Sequence, residues 1–312
     1  MTTTTKPDLL AATPLPPFLR EPLAAEFTLH ADLAAAPRER IRGIVGMGSA
    51  KVTGDLLAAL PAVEIVSIMG VGYDEVDVAA AKARGVVVTH TPGVLDDDVA
   101  DLAIALAINV AREIPRAERH LRAGRWAAGG PPPLATKFSG ARFGLVGMGR
   151  IGRAIARRAE AFDMRIGYTA RSAKPELPYA FYPDVVALAA ASDFLVVITI
   201  GGAGTRKLVG AEALEALGRN GYLINVARGS VVDETALVAA LTSGTIAGAA
   251  LDVFENEPHV PEALLALDNV VVVPHIGSAT RATRQAMADL ARENLELHFA
   301  GKPPKTPVPE CR

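Results

Sequence analysis

Arg142-Phe-Gly-Leu-Val-Gly-Met-Gly-Arg-Ile-Gly152 reads as a short apolar strand, a glycine-rich turn and the start of a helix. Ile151, Ile155, Ala159 and Phe162 then fall on one helical face, and a second strand follows at 164–168. The three glycines have separate tasks. Gly147 permits the tight turn, Gly149 lets a pyrophosphate approach the backbone, and Gly152 allows close packing of helix and strand. Bare amides at the helix start, where Arg150 and Ile151 stand, suit phosphates, as does the positive end of the helix dipole. A GxGxxG alone is a weak signal, but within a strand–turn–helix–strand unit it marks a dinucleotide site.

Working outward, the strand–helix rhythm continues downstream. Apolar runs at 194–199, 222–226, 246–251 and 270–273 join the first two strands in a doubly wound sheet of six. Upstream, runs at 26–29, 41–46, 63–69 and 86–89 alternate with helical patterns at 51–60 and 76–84, the second stopped by Gly85. That alternation predicts a smaller parallel α/β domain. A long helical pattern at 280–299 can return the chain to it. The expected division is 1–96, completed by 285–312, and 97–284 as the dinucleotide-binding domain. Residues 119–137, rich in glycine and proline and holding the single tryptophan, Trp126, read as an irregular arm.

A length of 312 residues accommodates about two such domains. A net charge of −2 provides no basic surplus for nucleic acid or an anionic membrane. No apolar run reaches the roughly 18 residues of a membrane span. The start, Met-Thr-Thr-Thr-Thr-Lys, lacks the pattern of a secretory signal and reads as a disordered end. The lone cysteine, Cys311, has no internal partner, which fits a reducing cytoplasm.

Two histidines follow apolar strands that run toward the ligand side, His90 and His275. His275 follows the last strand of the dinucleotide domain, where its imidazole can give or take the proton that accompanies hydride transfer. An imidazolium needs a carboxylate to hold it, and Leu251-Asp-Val-Phe-Glu-Asn-Glu-Pro258, after the preceding strand, offers candidates. A keto acid needs a fixed cation, and Arg228 follows the strand before that. Arg228, Glu257 and His275 thus come from the ends of three successive strands. The loop Met69-Gly-Val-Gly-Tyr73 also closes a strand, and reads equally as a ligand loop or a plain tight turn.

With these motifs in view, the sequence resembles the D-isomer-specific 2-hydroxyacid dehydrogenases, and among them the glyoxylate/hydroxypyruvate and hydroxyphenylpyruvate reductases. The resemblance runs from about 41 to 308. It is carried by Val71-Gly-Tyr-Asp74, Thr91-Pro92 with Asp97-Asp-Val-Ala-Asp101, Thr136–Gly140, the glycine motif, Asn225–Ser230, Leu251–Pro258 and Pro274–Thr280. It implies a Rossmann cofactor domain beside a flavodoxin-like α/β substrate domain. In such enzymes the match to Arg228 binds the substrate's carboxylate and carbonyl. The match to His275 donates the proton, paired with the match to Glu257. The Val71–Gly72 loop offers amides to the carboxylate, and Ser278 stands on the substrate side. Asp252 lies at the nicotinamide amide, while Val226 and Ala227 border the cofactor. No metal is implied. The resemblance also implies a homodimer joined through the cofactor domains, and a cleft that closes over substrate.

Two departures stand out. Thr199-Ile-Gly-Gly-Ala-Gly204 replaces the family's usual proline-leucine-threonine turn. After the second strand, Thr169 stands where an acidic residue commonly accepts the ribose hydroxyls, and Ala170, Arg171 and Ser172 follow. A guanidinium there suits a 2′-phosphate. The expectation is a cytoplasmic NADPH-preferring reductase of small 2-keto acids that uses NADH more weakly. Its rivals are an NAD-linked D-3-phosphoglycerate or D-lactate dehydrogenase and a dinucleotide-sensing corepressor-like protein.

Overall fold

A computed structural model describes residues 6–311, so most of the amino-terminal stretch read as a disordered end lies outside the described residues. The chain divides into two compact units, one running up to Leu95 and resuming at Thr280, the other spanning Asp96–Ala279.

The smaller unit contains β1 (Asp8–Ala11), β2 (Thr28–His30), β3 (Ile41–Met47), β4 (Ile65–Met69) and β5 (Val87–Thr89). All are parallel, in the order β2-β1-β3-β4-β5, which is the flavodoxin-like order. The first strand escapes the sequence pattern because it is only four residues long. One face of the sheet packs Ile44, Val66, Ile68 and Val88 against Leu57, Leu60 and Val308. Against the other lies the helix Arg281–Phe299, capped by the Thr280 hydroxyl. Ser67 on β4 donates to the Ala291 carbonyl at 2.9 Å. A Cβ at Gly43 would come within 2.7 Å of Leu9, so the strand there must be bare.

The larger unit adds β6 (Arg142–Val146), β7 (Arg165–Thr169), β8 (Ala180–Phe181), β9 (Phe194–Val197), β10 (Tyr222–Asn225), β11 (Gly248–Leu251) and β12 (Val270–Val272). The sheet is parallel in the order β12-β11-β10-β9-β6-β7-β8, a Rossmann order extended by one strand. It has seven strands rather than six because the brief, exposed β8 pairs with Gly167 and Tyr168. Central strands β9, β10 and β11 are buried on both faces, and Leu188, Leu214, Leu237 and Leu241 from the covering helices complete the core. The helix Asp96–Ala111 opens with three aspartates at its positive end.

The arm read as irregular is instead partly helical, with Ile114–Arg122 and Arg125–Gly129 separated by Gly124 at φ 70°. That glycine ends one helix and admits the next, which a composition rich in breakers conceals. Among the described residues no helix is long and apolar enough to cross a membrane.

Candidate active site

The glycine motif lies at the carboxyl end of β6, central in its sheet. Gly147 adopts φ 110°, and a Cβ there would meet the Ile198 carbonyl at 2.8 Å. A Cβ at Gly149 would meet nothing within 4 Å, so that position leaves open space for a pyrophosphate. Gly152 faces the loop's own Gly147 carbonyl, which a Cβ would approach to 2.4 Å. The helix Arg150–Glu160 therefore begins flush against the turn, with no side chain capping its first amides. This cradle fits a dinucleotide pyrophosphate. The Arg150 side chain is engaged elsewhere, its Nε donating to Asp96 at 2.9 Å, so Arg150 and Ile151 present backbone to the cradle.

The end of β7 is tied to the same turn by the Gly147 amide, which donates to the Thr169 carbonyl at 2.9 Å. Beyond the mostly buried Thr169, Ala170 is half-buried and Arg171 and Ser172 are exposed. Among the described residues Arg171 makes no ion pair or hydrogen bond. The next carboxylate, Glu176, is occupied by Arg153 at 2.5 Å. On the other side of the cradle, Ile200 in the glycine-bearing loop after β9 is exposed, and Gly202 takes φ 116°.

At the end of β10 the buried Asn225 staples its turn with both ends of its amide. Its Oδ1 accepts from Ala227 N at 3.1 Å and its Nδ2 donates to the Arg228 carbonyl at 3.0 Å. Val226 and Ala227 are buried, and half-buried Arg228 leaves the turn in extended backbone. Its Nη1 donates to the Ala227 carbonyl at 2.8 Å. The next residue, Gly229, lies directly against the Phe254 backbone, on the segment that leads to Glu257.

His275 follows β12 with φ 52°, a left-handed conformation that only surrounding bonds can hold in a non-glycine residue. Its amide donates to the Asp252 carbonyl at 2.9 Å. Asp252 is 2% exposed, and its carboxylate accepts from the Ile276 and Gly277 amides at 2.6 and 2.9 Å. Burial raises the Asp252 carboxyl above its ordinary value, opposed by these amides and the imidazole. The His275 Nδ1 donates to Glu257 Oε2 at 2.7 Å, while Glu257 Oε1 accepts from the Phe254 amide at 3.1 Å. Burial pushes the Glu257 carboxyl up, but the bond from His275, its charge, the Phe254 amide and the Arg228 charge together hold it below the usual range. With Nδ1 engaged, Nε2 is the nitrogen left for chemistry.

Ser278, half-buried, belongs to the same turn as His275. Val71 and Gly72 lie in the smaller unit, after β4. The rival histidine, His90, is there too, buried and bonded through Nδ1 to the Val71 carbonyl. Sequence reasoning missed Asn225 and Gly229 as organisers of the Arg228 turn. The polar Asn ending a buried strand was the available signal.

A Rossmann sheet with an arginine turn, a carboxylate and a carboxylate-bound histidine at successive strand ends defines a dinucleotide-dependent oxidoreductase. Residues 104–277 match the model of the D-isomer specific 2-hydroxyacid dehydrogenase NAD binding domain, and the chain belongs to that family. It is 51% identical over 271 residues to glyoxylate/hydroxypyruvate reductase A of Arabidopsis thaliana, covering 87% of this chain and 86% of that one. Identity to hydroxyphenylpyruvate reductase of Plectranthus scutellarioides is 48%, with 96% and 98% covered. The crystal structure of an NADPH-dependent glyoxylate/hydroxypyruvate reductase from Sinorhizobium meliloti, in complex with NADP and malonate, matches with a TM-score of 0.94. Its identity is 47%, with 98% of each chain covered.

Proposed function

We propose that the chain reduces small 2-keto acids of the glyoxylate and hydroxypyruvate type to D-2-hydroxy acids with NADPH. The observation that carries this reading is the 2.7 Å bond between His275 and Glu257 on the Rossmann strand ends. The names of its relatives agree with it. The glycine turn from Gly147 to Gly152 would hold the pyrophosphate, Arg171 and Ser172 the 2′-phosphate, and Val226, Ala227 and Asp252 the nicotinamide side. The cofactor supplies a hydride to the keto carbon.

The chain's own residues do the rest. Arg228 binds carboxylate and carbonyl through its planar fork and polarises the keto group. Nε2 of the imidazolium gives its proton to the keto oxygen as the carbon accepts the hydride electron pair, so an alkoxide never accumulates. Glu257 stays ionised throughout, holding the ring and stabilising its cationic form before transfer. Val71, Gly72 and Ser278 complete the substrate contacts in this reading, and the smaller unit is the substrate-binding domain. Steady-state kcat/KM for a panel of 2-keto acids with NADPH and with NADH tests it. A folded protein that binds NADPH yet turns over none of them is a sensor instead.

The same reading makes the protein a cytoplasmic homodimer. Ile114, Leu121 and Trp126 are exposed on the arm helices, with Leu134 beyond them, an apolar surface suited to a second copy. Light scattering at micromolar concentration is expected to return twice the 32.5 kDa of one chain.

A further inference from the structure

In the smaller unit β4 ends in Gly70-Val71-Gly72-Tyr73. Among the described residues neither the Val71 nor the Gly72 amide donates a hydrogen bond, although both residues are half-buried. Both amides thus lack a protein acceptor, and an anion is the kind of group that can supply one. The Val71 carbonyl, by contrast, accepts from His90 Nδ1 at 3.0 Å. A carbonyl only accepts, so Nδ1 carries the hydrogen. In a trans peptide C=O and N–H point in opposite directions. Turning the Val71 carbonyl to His90 therefore turns the Gly72 N–H the other way.

His90 is itself held fast. It is 8% exposed, and its ring meets Tyr73 edge-on with centroids 5.2 Å apart. Its amide donates to the Thr306 carbonyl at 3.2 Å, and its carbonyl accepts from the Thr306 hydroxyl at 2.6 Å. Asn294 grips Thr306 through two bonds, of 2.8 and 3.0 Å. The Thr91 amide donates to the Gly70 carbonyl at 2.8 Å, closing the brace on the loop's other side.

We propose that His90 is a positioning residue for the keto acid: its Nδ1–H fixes the Val71–Gly72 peptide so that the Gly72 amide is presented to the substrate carboxylate. This rests on the reading of that loop as a carboxylate site. In this proposal His90 acts through the Val71–Gly72 peptide and not on a reacting atom. Its effect is on KM, and the segment around Thr306 acts through it.

The test is steady-state reduction of glyoxylate by NADPH in the full-length protein. His90→Phe keeps a ring but loses the donor, and is expected to raise the glyoxylate KM roughly tenfold or more, with kcat and the NADPH KM within twofold of wild type. His90→Asn places an amide N–H near the Nδ1 position and is expected to restore the glyoxylate KM. An unchanged KM in His90→Phe, or a His90→Asn as impaired as His90→Phe, overturns the proposal. Should His90→Phe fail to fold, Thr306→Val loosens His90 without emptying its site, and the glyoxylate KM is expected to rise while kcat holds. An unchanged KM there also overturns it. Gly72→Pro removes the amide itself: if it raises the glyoxylate KM while His90→Phe does not, only the role of His90 falls. If Gly72→Pro leaves KM unchanged, the carboxylate reading of the loop falls, and the proposal with it.

Discussion

Gly229 and Phe254 touch through their backbones so closely that a Cβ on Gly229 would lie 1.8 Å from the Phe254 carbonyl carbon. The turn presenting Arg228 and the segment leading to Glu257 are therefore one interlocked surface. Neither can shift without the other, and a side chain at 229 must part them. Gly229→Ala is expected to lower kcat/KM for glyoxylate about a hundredfold, the order of loss that a 1 Å misplacement of binding groups can cause. Kinetics on a variant shown to be folded by circular dichroism checks this, and wild-type kcat/KM would refute it.

In the proposed reaction His275 supplies the proton, and its Nδ1 bond to Glu257 leaves Nε2 for that task. His275→Asn is expected to lose roughly 100- to 10,000-fold in kcat while NADPH still binds, the usual worth of general acid catalysis. The Glu257 carboxyl is held below its ordinary value, so it stays ionised at neutral pH and its charge supports the ring that gives the proton. Glu257→Gln removes the charge and is expected to lower kcat for glyoxylate at neutral pH while NADPH still binds. A wild-type kcat in that variant would count against the pairing as the support of the proton donor.

Acid stability has a separate origin, at Asp8 in the smaller unit. The residue is 5% exposed, and its carboxylate accepts from Arg40 at 3.0 Å and pairs with His30 at 2.7 Å. Burial raises its pKa, but the bonds from His30 and Arg40 and their charges outweigh burial and leave it below the ordinary carboxylate value. A carboxyl depressed on folding stabilises the native state above its unfolded pKa, about 3.9. That contribution is lost as pH falls through the lower, folded value. Asp8→Asn is expected to cost roughly 1–3 kcal/mol at pH 7 and to flatten the loss of stability below about pH 4. Urea unfolding at pH 7 and below pH 4 measures both, and equal acid sensitivity in the two proteins would remove Asp8 from the account.

Strands buried on both faces, such as Phe194–Val197 and Tyr222–Asn225, were legible because a strand covered on both sides must be apolar at every position, and a short apolar run between turn residues shows that. The glycine motif was legible because three glycines at that spacing open a helix. Asp8–Ala11 and Ala180–Phe181 were not, since strands this short are defined by their neighbours rather than by a pattern of their own. Arg228, Glu257 and His275 could be nominated from the rule that ligands meet strand carboxyl ends. What no periodicity could reveal was how they are held. The left-handed backbone of His275, the Asp252 carboxylate under Ile276 and Gly277, and the Asn225 staple depend on residues 2 to 25 positions apart in sequence.

In the proposed reading cofactor choice turns on the short connection after β7. Thr169 carries no charge to repel a 2′-phosphate, and Arg171 and Ser172 follow it, exposed. The connection is shaped from below, because the buried Tyr168 hydroxyl accepts from the Lys174 amide at 2.6 Å and anchors the far side of the loop. Glu176, the nearest carboxylate along the chain, is held by Arg153, and its carboxyl lies below the ordinary value through its own backbone and that bond. Its negative charge is thus largely answered, and in the proposed reading Arg171 meets the 2′-phosphate. The 2′-phosphate is remote from the reacting carbon, so its binding energy should be expressed mainly in KM. A charge-assisted bond contributes roughly 1.5–3 kcal/mol. Arg171→Ala is accordingly expected to lower kcat/KM with NADPH about ten- to a hundredfold and to leave NADH nearly unchanged. Equal losses with both cofactors, or a wild type that prefers NADH, would show that the phosphate is bound elsewhere.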